Sequence, residues 1–196
     1  MRSLAVLRSS RLLAAVIGVV LLTGCWMQSL HPIYTDDTVV FEESLVGNWT
    51  DDEGGSVHFD RYGAHAYHMT IRSDPGDRPI EPEAHLTRID DRLFLDGVLT
   101  DLDDDVEEVV GPHVVPVHWI FRLELRGERL LLSEPSMHRI KTMLQESPEL
   151  VGHTLVDGRL ILTDETAALR RFITESLAGD DAWSSPESFR REVSPR

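Results

Sequence analysis

Nine histidines and 34 acidic residues are the groups in this chain that could do chemistry, so their spacing is the first question. His65 and His68 stand three apart on a stretch that reads as a strand, where successive side chains alternate between faces. They point to opposite sides and do not share an ion. His113 and His118 carry the same odd spacing. No His-x-x-x-His or His-Glu-x-x-His pair occurs at helical spacing, and no second cysteine is present to complete a zinc set. Asp101, Asp103 and Asp105 match the first three ligand positions of a calcium loop. Val106 then stands where that loop needs Gly, and Pro112 where it needs a bidentate Glu. What remains is a solvated acidic loop, with at most weak calcium binding. Neither Gly-x-Ser-x-Gly nor Ser-x-x-Lys occurs, nor does a glycine-rich phosphate loop. Carboxylate pairs carry little information in so acidic a chain. No catalytic residue, metal or cofactor is assigned on this basis.

The one cysteine, Cys25, lies in a different context. Arg2, Arg8 and Arg11 precede an unbroken apolar run, Leu12 to Leu22, and Thr23-Gly24 lead into Cys25. A positive start, a short apolar middle and small residues before a cut are the parts of a secretory signal. The run covers roughly 17 Å as a helix, well short of the ~30 Å hydrocarbon core. Leu22-Thr23-Gly24-Cys25 resembles the lipobox of bacterial lipoproteins. The resemblance implies cleavage between Gly24 and Cys25, a diacylglyceryl thioether on Cys25, and a fatty acyl group such as palmitate on the new amine. Trp26 stands where an Asp would favour inner-membrane retention, so the implied address is the outer membrane, facing the periplasm, in a cell with two membranes. In such a cell the acceptor tripeptide Asn48-Trp49-Thr50 carries no glycosylation meaning.

Residues 1–24 hold three of the 19 basic residues and no acid. The remainder therefore has 16 basic against 34 acidic residues, a net charge of −18. That surface repels nucleic acid and anionic headgroups, so a membrane partner would be held through lipid. Protein or small-molecule partners are left open.

The elements that must position any site are short. Val39–Trp49 reads as a helical turn entering a strand. Strands follow at 56–61, 65–72, 84–89, 92–98, 114–125 and 129–133, with the hairpin 150–156 and 159–162 turning at Asp157-Gly158. The long strand 114–125 places Val115, Val117, Trp119 and Phe121 on one face. One helix opens at Pro135, capped by Ser133, with Met137, Ile140 and Leu144 on one side. Another runs from Asp164 to Ala178, with Leu169, Phe172, Ile173 and Leu177 as its apolar stripe. The expected fold is α+β and mainly antiparallel β: a partly open barrel or curved sheet carrying two packed helices. The expected organisation is a signal peptide over 1–24, a lipidated linker over 25–38, one domain over 39–179 and a tail over 180–196.

Gly47-Asn48-Trp49, opening the first strand after a helical turn, is similar to the Gly-x-Trp signature of lipocalins. That likeness implies an eight-stranded barrel with Trp49 as a core anchor. The helix at 135–147 interrupts the strand series where lipocalins continue it. From Leu30-His31-Pro32-Ile33-Tyr34 through Trp49 the body resembles uncharacterised envelope lipoproteins. The function these readings imply is a lipid-anchored, non-enzymatic binding or interaction module. A lipocalin-like carrier of small apolar ligands is the alternative, and a hydrolase with a site assembled from distant residues is the third.

Overall fold

The computed structural model describes residues 27–99 and 115–192. Twelve strands occur among these: β1 (Gln28–Ser29), β2 (Val39–Val40), β3 (Gly47–Thr50), β4 (Ser56–Tyr62), β5 (Ala66–Arg72), β6 (Glu83–Ile89), β7 (Arg92–Val98), β8 (His118–Arg126), β9 (Arg129–Ser133), β10 (His153–Val156), β11 (Arg159–Leu162) and β12 (Glu187–Arg191). Helix α1 spans Met137–Glu146 and α2 spans Thr166–Ser176. Strands β3 to β9 pair antiparallel in chain order. β12 pairs with both β9 and β3, which closes an eight-stranded, lipocalin-like barrel.

Alternation along the staves decides what lies inside. Trp49, Val57, Phe59, Tyr67, Met69, Leu86, Leu95, Leu123, Leu130 and Phe189 all point inward and form one buried cluster. An eight-stranded barrel is just wide enough for side chains to enter from every stave, and these are the ones that do. The opposite faces of β6, β7 and β8 are not left to water. Ile89, Phe94 and Ile120 pack there under Ile140 and Leu144 of α1 and Leu169, Phe172 and Ile173 of α2. This wall is apolar on both faces, which explains its nearly continuous runs of Leu, Ile and Phe.

β8 is where the sheet divides. Its first residues pair with β1, and its last five pair with β9. β1 in turn lies parallel to β11, so the β10–β11 hairpin extends a second wing of sheet beside the barrel. Asp157 (φ 50) and Gly158 (φ 79) both adopt positive φ at its tip, as a two-residue primed turn requires.

Several expectations need correction. The expected antiparallel barrel with two packed helices forms, but Glu187–Arg191, expected in a tail, supplies its eighth stave. The expected linker also contains folded chain: Met27 and Ile33 are fully buried in the outer core. The long strand begins at His118, and Val115 lies exposed before it. α1 starts at Met137, not Pro135, because Pro135 bridges Trp183 and the Ser136 N–H donates to the Ala182 carbonyl. α2 starts at Thr166, because the Asp164 carboxylate accepts from the Gly152 N–H (2.6 Å) instead of capping the helix.

Candidate functional site

The outward face of β6–β8 carries a polar group of residues centred on Asp96 within its apolar surroundings. Asp96 lies mid-strand on β7 at the parity of Phe94 and Val98, so its side chain must face the outer core. It is wholly excluded from solvent. Burying a carboxylate requires partners, and it has two. Oδ2 accepts from the Ile33 N–H at 2.7 Å, and Oδ1 lies 2.6 Å from His118 Nδ1. A carboxylate only accepts, so His118 Nδ1 is the donor of this bond.

Ile33 belongs to the chain segment that crosses this wall after β1. The next residue, Tyr34, stacks on His85 (centroids 4.2 Å apart, planes at 21°) and meets His118 edge-on at 6.4 Å. His85 sits opposite Asp96 on β6. Its Nε2 is 3.7 Å from Glu83 Oε1, while its buried Nδ1 has no hydrogen-bond partner among the described residues. Burial holds the His85 pKa below the ordinary histidine value, and His118 adds to that effect. The nearby Glu83 and Asp96 carboxylates pull the other way without winning. Burial, with help from Asp96, Glu83 and Asp36, pushes the Tyr34 phenol up to about 12. At neutral pH the ring pair is therefore an uncharged imidazole against an uncharged phenol.

The same segment is fastened from the other side by α2. Thr166 Oγ1 donates to the Pro32 carbonyl (2.7 Å). The Arg170 guanidinium donates to the Ile33 carbonyl (2.7 Å), the Thr87 hydroxyl (3.1 Å) and the Arg88 carbonyl (2.9 Å). Residues 29–34 are thus clamped between Asp96 and Arg170.

An acid-oriented imidazole is the arrangement that general bases and metal ligands use. Among the described residues, no group of three or more His, Cys, Asp or Glu side chains is placed to hold a metal ion. The serine of the segment, Ser29, donates its hydroxyl to the His31 carbonyl (2.7 Å). The geometry supports a latch that fixes the entering chain to the barrel wall.

A second buried site stands at the barrel's other margin. Trp49 is fully buried and donates its indole N–H to the Leu45 carbonyl (2.8 Å). The Arg191 guanidinium lies over its ring, 4.3 Å from the centroid, and donates to the carbonyls of Val46 (2.8 Å) and Ser44. Arg191 thereby ties the last stave to the 3₁₀ turn Glu43–Leu45. On the surface, an open groove of about 520 Å³ runs along α1 past His138, Thr142, Met143 and Glu146. The Arg139–Asp181 ion pair (2.5 Å) borders it.

His65 lies exposed in the β4–β5 turn and His68 half-buried on β5, so the two are not brought together. Gly24, Cys25, Asp101, Asp103, Asp105 and His113 lie outside the described residues. The sequence reading missed Tyr34, His85, Asp96 and Arg170. The available signal was Asp96 itself, an acid inside the apolar run Leu93-Phe94-Leu95-Asp96-Gly97-Val98 at a position whose neighbours of the same parity are buried. No protein-family model, curated protein or solved structure matches this chain.

Proposed function

We propose that the chain is a lipid-anchored cell-envelope protein, attached through Cys25 and working as a non-enzymatic binding or interaction module, on the outer membrane facing the periplasm. The observation that carries this reading is the position of Met27. It is fully buried in the outer core only two residues after the lipobox-like cysteine, so folded chain reaches to within two residues of the proposed anchor. Among the described residues no helix is long and apolar enough to cross a membrane. Two or more acyl chains, at about 0.8 kcal/mol per buried methylene, suffice to hold an acidic body at a bilayer.

The test is Cys25→Ala. The variant should leave the membrane fraction for the soluble envelope fraction, and mass spectrometry of the native protein should find Cys25 as an acylated N-terminus. Retention of residues 1–24, or a free thiol at Cys25, would overturn the proposal.

The closed barrel is compatible with a lipocalin-like ligand-binding protein, and this supports the carrier as second reading. It ranks second because Trp49, Phe59, Tyr67, Met69 and Leu86 all project into the interior, where an apolar ligand would compete with them for space. Saturable binding of a fluorescent fatty acid, abolished by enlarging an inward residue such as Ala84→Trp, would promote it.

A further inference from the structure

The β10–β11 hairpin ends in two exposed apolar side chains: Leu155 is 64% exposed and Val156 45%. Both lie on the strand at the end of the sheet order. Their position relative to the start of the fold follows from register. β11 runs parallel to β1 with Gln28 beside Ile161, so Arg159, two residues earlier, lies toward the end from which the chain enters β1. Val156 sits opposite Arg159 and Leu155 opposite Leu160. The hairpin tip and the chain entry therefore share one end of the sheet, two strands or roughly 10 Å apart. From Met27 back to Cys25 is two residues, a reach of at most about 7 Å.

The charge of the tip also departs from that of the body. The chain's one lysine, Lys141, donates to the Gly158 carbonyl (3.0 Å), and Arg159 is exposed beside it. Asp157 is the acid of the turn. Two cations against one acid, on a protein of strongly negative net charge, suit an anionic headgroup layer.

We infer that the β10–β11 tip is a second membrane contact, in which Leu155 and Val156 enter the interfacial layer of the bilayer that holds the Cys25 lipid. This rests on the reading of Cys25 as the lipid attachment site. A diacylated cysteine without a long tether would hold the tip at the surface, so even two apolar side chains partition at high effective concentration. The contact would fix how the barrel stands on the membrane, with Leu99 and the start of β8 directed away from it.

The test uses the full lipidated chain carrying Val156→Cys, labelled with an environment-sensitive fluorophore and reconstituted in phosphatidylethanolamine–phosphatidylglycerol vesicles. Thioether formation consumes the Cys25 thiol, so the label reports position 156. Leu99→Cys, exposed at the opposite end of β7, serves as reference. Blue-shifted emission at 156, quenched by nitroxide-bearing lipid, with neither effect at 99, is the expected result. Equal, water-like emission at both positions on protein that still floats with vesicles would overturn the inference and leave the anchor standing. Failure to float, with label also entering Cys25, would overturn both. As a second readout, Leu155→Asp/Val156→Asp in the lipidated chain should speed dissociation from vesicles about tenfold, as loss of roughly half of the two side chains' apolar burial implies. Unchanged dissociation would count against the contact.

Discussion

Asp96 and His118 meet diagonally across β7 and β8, with Asp96 Oδ1 2.6 Å from His118 Nδ1 and the carboxylate wholly out of solvent. The second oxygen of Asp96 is spent on the Ile33 N–H. One buried acid therefore orients an imidazole and pins the segment that leads out of β1. Removing one partner of a buried, hydrogen-bonded charge leaves the rest unpaired, which costs more than the contact contributes. Asp96→Ala should lower stability by about 3 kcal/mol in urea unfolding. Asp96→Asn, which keeps an acceptor for Ile33, should cost about half as much. Equal losses for the two variants would show that the charge, and not the acceptor to the backbone, is what matters.

His85 makes stability depend on pH. Its folded pKa lies below the unfolded value, so the folded state resists protonation that the unfolded state accepts. Its contribution is fully present above about pH 6.5, the unfolded value, and is lost as pH falls from there toward the lowered folded pKa. The wild-type Tm should therefore drop between pH 7 and pH 5. His85→Phe keeps a ring against Tyr34 and removes the titration, so its Tm should drop measurably less over that window. Parallel curves for the two proteins would exclude His85 as a source.

How much of this arrangement was legible in the sequence depends on range. Alternation placed Val57, Phe59, Tyr67 and Met69 on one face of their strands, and the apolar stripe of α2 was readable from its spacing; all of these are core. Closure was not readable. Its last stave, Ser188-Phe189-Arg190, has one inward apolar residue between polar neighbours, and only pairing with β9 and β3 makes it a strand. Met27 and Ile33 were hidden for a related reason: segments too short for periodicity are ordered by distant partners, here β8 and β11 beside Gln28–Ser29 and Asp96 and Arg170 around Ile33. The polar cluster joins positions 34, 85, 96 and 118, whose proximity is a property of the barrel and of no local motif.

Arg191 supplies a third prediction. It covers the Trp49 ring and donates to two carbonyls of the turn before β3. A planar guanidinium can do both at once, whereas an ammonium cannot. Arg191→Met should cost about 2 kcal/mol from the lost cation–π contact and the charge-assisted bonds. Arg191→Lys should recover less than half of it. Full recovery by lysine, measured by thermal unfolding, would mean that positive charge alone suffices.

Gly97 pairs with Trp119 across β7 and β8. A Cβ built on Gly97 would lie 3.1–3.3 Å from three atoms of the Trp119 indole. The glycine is therefore present for space: the indole lies flat against the backbone where any side chain would stand. A rigid ring beside a packed stave yields little, so Gly97→Ala should destabilise by about 1 kcal/mol and Gly97→Val by about 2–3 kcal/mol, the range of overpacking. The cause is separable from loss of glycine flexibility by a double-mutant cycle. Trp119→Leu removes the clashing ring, and in that background Gly97→Ala should be neutral or stabilising, because alanine restricts the unfolded chain. The same cost in both backgrounds would show that Trp119 is not what keeps position 97 free of a side chain.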